Sequence, residues 1–147
     1  MNFSTLWSTP MSWTSNPAPS AIMLTGNGIP GKMPNEVKGI PLNRKADALF
    51  FLHTCRLDQR MNDQDRKENK KYEMLRYVIT YADGQTADIP VYAEIGIHDY
   101  KQKDVQQIPG AQLAWTAPYA GTEFQTAAYS KQWSNPRPDV EIKSLDI

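Results

Sequence analysis

YEMLRYVITYADGQTADIPVY, residues 72–92, decides the fold. Two runs rich in Tyr, Val, Ile and Thr flank Asp83-Gly84. Those residue types suit a pleated, half-buried surface, and an Asp-Gly pair tolerates the positive φ of a type I′ turn. The stretch therefore predicts a β-hairpin. Tyr77, Ile79 and Tyr81 occupy alternate positions and so share one face, the side expected to meet a core.

Working outward, KADALFFLHTC at 45–55 is the most apolar run in the chain. Ala46, Ala48, Phe50, Leu52 and Thr54 share one face, and Asp47, Leu49, Phe51, His53 and Cys55 share the other. Both faces are apolar in the middle, which predicts a central strand covered on both sides. AIML (21–24), VKGIPL (37–42), AQLAWTAPY (111–119), TEFQTAAYSKQW (122–133) and VEIKSLDI (140–147) also read as strands. Pro41 suits an edge or a strand end. TEFQTAAYSKQW also scores as a helix, but its neighbours and its Thr, Phe and Tyr favour a strand. Ala111, Leu113, Trp115 and Ala117 are expected on one face, as are Val140 and Ile142. Short strands at regular spacing with turns between them predict an all-β sandwich or barrel.

The totals agree with one domain spanning 1–147, with 1–19 as an extended lead-in rich in Ser, Thr and Pro and 20–147 as the core. Of the 147 residues, 40% are hydrophobic and 22% charged, which suits a globular domain. Formal net charge is zero, so no global field draws the chain to nucleic acid or to an anionic membrane. No apolar run has the roughly 20 residues a membrane helix needs. The N-terminus lacks the basic start and apolar stretch of a signal peptide. Cys55 is the single cysteine, so no internal disulfide forms, and its place in an apolar strand reads as a small buried hydrophobe.

Four phrases occur in order: VKGIPLNRKADALFFLHTC from 37, YVITYADGQTADIPVY from 77, IHDY at 97–100 and YSKQWSNPRPDVEIKSLDI from 129. Together they resemble a galactose-binding-like jelly-roll domain found beside or within bacterial glycoside hydrolases and related polysaccharide-degrading proteins. The resemblance covers about residues 20–147; Tyr100 stands where that family has tryptophan, and the N-terminal section is shorter. It implies a non-catalytic module that binds a polysaccharide or oligosaccharide, serves a catalytic domain of a parent enzyme, and works in an extracellular or periplasmic setting. It implies no catalytic residue set.

Sugar rings present C–H faces that stack on indole and phenol rings, while their hydroxyls seek amide, carboxylate and guanidinium partners. Candidate ligand-binding residues are therefore Trp115, Tyr119, Trp133, Asn135 and Arg137, with a second cluster at Tyr92, His98, Asp99 and Tyr100. Trp7 and Trp13 are read as anchors of the lead-in. The alternative is a small glycoside hydrolase or lyase using His98 and nearby carboxylates; a third reading is a structural sandwich that assembles through its edges. His53, inside a strand, is expected to be part of the wall. Two histidines without metal-ligand spacing predict no copper or zinc site, and no cofactor. Asp63 and Asp65 leave room for a structural calcium ion.

Overall fold

Alternating apolar residues with turn residues between them give eight strands, seen in a computed structural model that describes residues 21–26, 33–57 and 71–147. They are β1 (Ile40–Arg44), β2 (Ala48–His53), β3 (Glu73–Tyr81), β4 (Thr86–Tyr92), β5 (Lys101–Gln102), β6 (Gln112–Pro118), β7 (Gln125–Ser134) and β8 (Ile142–Asp146). No helix occurs among the described residues. The chain divides into two compact units, Met1–Asn35 and Glu36–Ile147. In the first, the described residues 21–26 form no strand where AIML predicts one, although the Thr25 amide donates to Pro34 O at 2.8 Å. Trp7, Trp13, Asp63 and Asp65 lie outside the described residues.

In the second unit, one antiparallel sheet has the order β1-β8-β3-β4. The other is built around β7, with β2 and β5 following one another along one edge and β6 along the opposite edge. The domain is thus all-β, with two antiparallel sheets, as the pattern predicts. Prolines fall on edge strands: Pro41 on β1, Pro90 on β4 and Pro118 on β6. There, a missing N–H need not cost a ladder bond.

The faces meet where Phe51 of β2 stacks on Tyr77 of β3, with ring centroids 4.0 Å apart. Tyr77, Ile79 and Tyr81 are buried as expected, beside Ile89 and Val91 of β4 and Ile142 of β8. Each such side chain contributes roughly 1.5–3 kcal/mol on burial. The β3–β4 turn differs from the type I′ expectation. The Gly84 amide donates to Tyr81 O at 3.0 Å, and only Gly84 (φ 84°) has positive φ, not Asp83. That is a three-residue loop closed by a left-handed glycine, which places just one residue in the left-handed region.

Two further expectations are corrected. The run at 45–55 does not form a central strand: among the described residues β2 pairs only with β7, and Phe50 is 48% exposed. An apolar face need not be a covered face. Trp115 does not share a face with Leu113. A register shift between them sets Leu113 opposite Tyr129 but Trp115 opposite Ala128, so one added residue turns Trp115 over.

Candidate functional site

Directly paired residues of an antiparallel sheet project to the same side. The register around β7 therefore defines both faces of its sheet. Leu49, Phe51 and His53 of β2 align with Trp133, Lys131 and Tyr129 on the side facing the core. Phe50 and Leu52 align with Gln132 and Ser130 on the outer side. Gln112, Trp115 and Ala117 of β6 join that outer side through Ser130, Ala128 and Thr126. Here Trp115 is 54% exposed. The outer face thus carries an exposed indole and the phenyl ring of Phe50, with small residues and the side-chain amides of Gln112 and Gln132 between them. Neither amide makes a hydrogen bond among the described residues.

The face continues into the β6–β7 loop. The Thr122 amide donates to Tyr119 O at 3.1 Å, and Gly121 has φ 74°, the pattern of a type II turn that favours glycine at its third position. The Tyr119 amide donates to Phe124 O at 2.9 Å, which sets those two aromatics across from each other. Lys101 of β5, opposite Thr126, extends its Nζ to 4.7 Å from the Tyr119 ring centre and 4.6 Å from that of Phe124. Tyr100 meets Tyr119 edge-on, with centroids 6.5 Å apart. Tyr119 remains 37% exposed beyond the part that Lys101 covers.

The other predicted residues lie elsewhere. Trp133 is partly buried against the core, with Leu49 its partner on β2. It sits eight residues along β7 from Gln125, about 26 Å from the Tyr119 end at ~3.3 Å per residue. Asn135 is buried and fully engaged. Its Oδ1 accepts from Tyr81 Oη at 2.6 Å and from the Arg137 amide at 2.9 Å, and its Nδ2 donates to Ala46 O at 2.7 Å. Arg137 donates through both terminal nitrogens to the Asp83 carboxylate and lies 4.7 Å over the Tyr81 ring. Those hydrogen bonds hold the Asp83 carboxyl below its usual range. Asn135 and Arg137 therefore lie beside the β3–β4 turn and Trp133 against the core opposite Leu49, apart from Trp115 and Tyr119.

The second predicted cluster is also divided. Tyr100 joins Tyr119, whereas Tyr92 ends β4 on the other sheet, opposite Glu73 and beneath Lys71 Nζ at 5.7 Å. Asp99 is a backbone clamp: its Oδ2 accepts from the Leu57 amide at 2.9 Å and its Oδ1 from the Lys101 amide at 2.8 Å. His98 Nδ1 accepts from the Asp99 amide at 2.7 Å, so imidazole and carboxylate are not joined as an acid–base pair. Asp99 thereby positions Lys101 at the start of β5.

His53 answers the wall expectation. Its Nδ1 accepts from Tyr77 Oη and its Nε2 donates to Gly96 O, each at 2.8 Å. Burial lowers its pKa to about 4, against the smaller opposing effect of the Gly96 bond. A neutral ring with both nitrogens occupied makes a cross-sheet brace. Burial also pushes the Cys55 thiol up to about 12, with Asp99 adding to the shift, so little thiolate exists near neutrality. Among the described residues, no group of three or more His, Cys, Asp or Glu side chains gathers as a metal site.

Lys101, Phe124 and Phe50 are absent from the residues picked out by sequence. The signal for Phe50 is its parity opposite the core-facing Phe51; that for Phe124 is its symmetric place with Tyr119 about the Ala120-Gly121 turn. Compared with known proteins, the chain matches no family model, no curated protein and no solved structure.

Proposed function

We propose that the domain is a non-catalytic module that binds a polysaccharide or oligosaccharide across the outer face of the β7 sheet. The observation that carries this reading is Trp115, turned outward by the register shift and left 54% exposed among small residues and side-chain amides. A sugar ring stacks its C–H face on the indole, and the exposed part of Tyr119 extends the platform. Gln112 and Gln132 offer amide donors and acceptors to hydroxyls from the same surface. Strand-held side chains need little reordering on binding, which limits the entropic cost.

The finer fold reading, a galactose-binding-like jelly roll, goes with the nested pairing of β1 with β8 and β2 with β7. The proposed setting stays extracellular or periplasmic, beside a catalytic domain that degrades the same glycan. The hydrolase or lyase reading has less support, because the Asp99 carboxylate is committed to two backbone amides.

Affinity electrophoresis through gels holding soluble glycans tests the proposal. Retardation is expected with at least one polysaccharide, and Trp115→Ala is expected to weaken it about tenfold. Retardation unchanged by Trp115→Ala defeats the placement of the site. Free migration in every gel defeats glycan binding and favours a face that docks on a neighbouring domain.

A further inference from the structure

We infer that this face selects anionic glycans and that Lys101 is the selecting residue, an inference that rests on the glycan-binding reading above. Lys101 Nζ lies over two aromatic rings, 4.7 Å from Tyr119 and 4.6 Å from Phe124. It makes no hydrogen bond or ion pair with the described residues. The neighbouring acids are already committed. Glu123 pairs with Lys103 at 2.9 Å, and both Asp99 oxygens take backbone amides.

Ring faces attract a cation and fix its place, but they supply no negative charge and no hydrogen-bond acceptor oxygen. The ammonium therefore keeps unsatisfied donors and a full charge at a defined position on the platform. That position is in register with Thr126 and Ala117, two residues along from the Ala128–Trp115 pair. Two strand spacings and two residues put the Lys101 and Trp115 backbones about 12 Å apart. A glycan chain lying across the face thus meets a stacking ring and a fixed cation together. An acidic group on the chain, either a uronate carboxylate or a sulfate ester, completes the ammonium's coordination. A neutral chain leaves it to water.

The decisive measurement compares matched pairs of polysaccharides. Polygalacturonate is set against its methyl ester, and a sulfated galactan against the desulfated polymer. The acidic member of at least one pair is expected to bind about fivefold tighter at ~20 mM salt, with the advantage lost near ~500 mM as screening takes over. The pair that shows the effect identifies carboxylate or sulfate as the group recognised. Lys101→Gln should bring binding of the acidic member down to that of the neutral one measured on the same variant, and Lys101→Arg should keep the advantage. Equal binding of both members of each pair, or an advantage that survives Lys101→Gln, overturns the selection while glycan binding stands. Absence of binding to all four polymers overturns the underlying reading and the selection with it.

Discussion

The two faces of the β7 sheet share the same strands and treat polar and aromatic groups in opposite ways. On the inner side, no buried side-chain nitrogen or oxygen among the described residues lacks a hydrogen-bond partner. His53 bridges Tyr77 and Gly96, while Tyr129, 0% exposed, donates to Gln106 O at 2.7 Å and accepts from Gln102 at 2.9 Å. On the outer side Trp115 and the amides of Gln112 and Gln132 hold no such bonds among the described residues. A satisfied buried network specifies structure, because each broken bond strands its partner. An exposed ring beside idle amides contributes little to folding and leaves its binding capacity for something else.

Substitutions break or sharpen this contrast. The largest effect is expected from Tyr129→Ala, which opens a cavity and strands Gln102 and Gln106 O: about 4 kcal/mol lost in urea unfolding. A loss under about 1 kcal/mol would show that the inner face is not the structural one. Next comes pH. The unfolded chain protonates His53 near 6.5, the folded domain only near about 4. The brace therefore stabilises fully above pH 6.5 and loses its contribution as pH falls between those values, about 3 kcal/mol at most. An NMR titration should find His53 neutral down to about pH 4, and His53→Gln should flatten that stretch of the stability curve. A midpoint near 6.5 would remove the brace.

Asn135→Ala should cost about 2 kcal/mol by freeing Tyr81 Oη and Ala46 O, measured by thermal and urea melts. It should leave glycan retention unaltered; weakened retention would return Asn135 to the binding site. Smallest of all, Trp115→Ala should shift stability by less than about 0.5 kcal/mol, as an exposed side chain does. A shift above about 2 kcal/mol would make the outer indole part of the fold.

The hairpin and the buried row Tyr77, Ile79, Tyr81 are legible because period-two alternation and Asp-Gly act locally. The strands at 112–118, 125–134 and 142–146 follow from the same pattern within a few residues. β5 is not legible: two residues give no periodicity, and Asp99 and the partner β7 set its place. The candidate site is legible in part. Trp115 and Tyr119 stand out as aromatics near polar groups, but Trp133, Asn135 and Arg137 sit near the same groups in sequence and lie at the other end of β7. Nearness in sequence does not say which end of a ten-residue strand a side chain occupies. Phe50 reads as core because apolar parity cannot tell a covered face from an open one.

The register shift between Leu113 and Trp115 has an evolutionary reach. Ahead of it, β6 sets Leu113 on the core-facing side; after it, Trp115 and Ala117 point outward. One extra residue thus divides a single strand into an anchor and a display segment. Under the proposed glycan-binding role, substitutions in the display segment leave the anchor untouched, so ligand preference can drift among descendants while the frame stays the same.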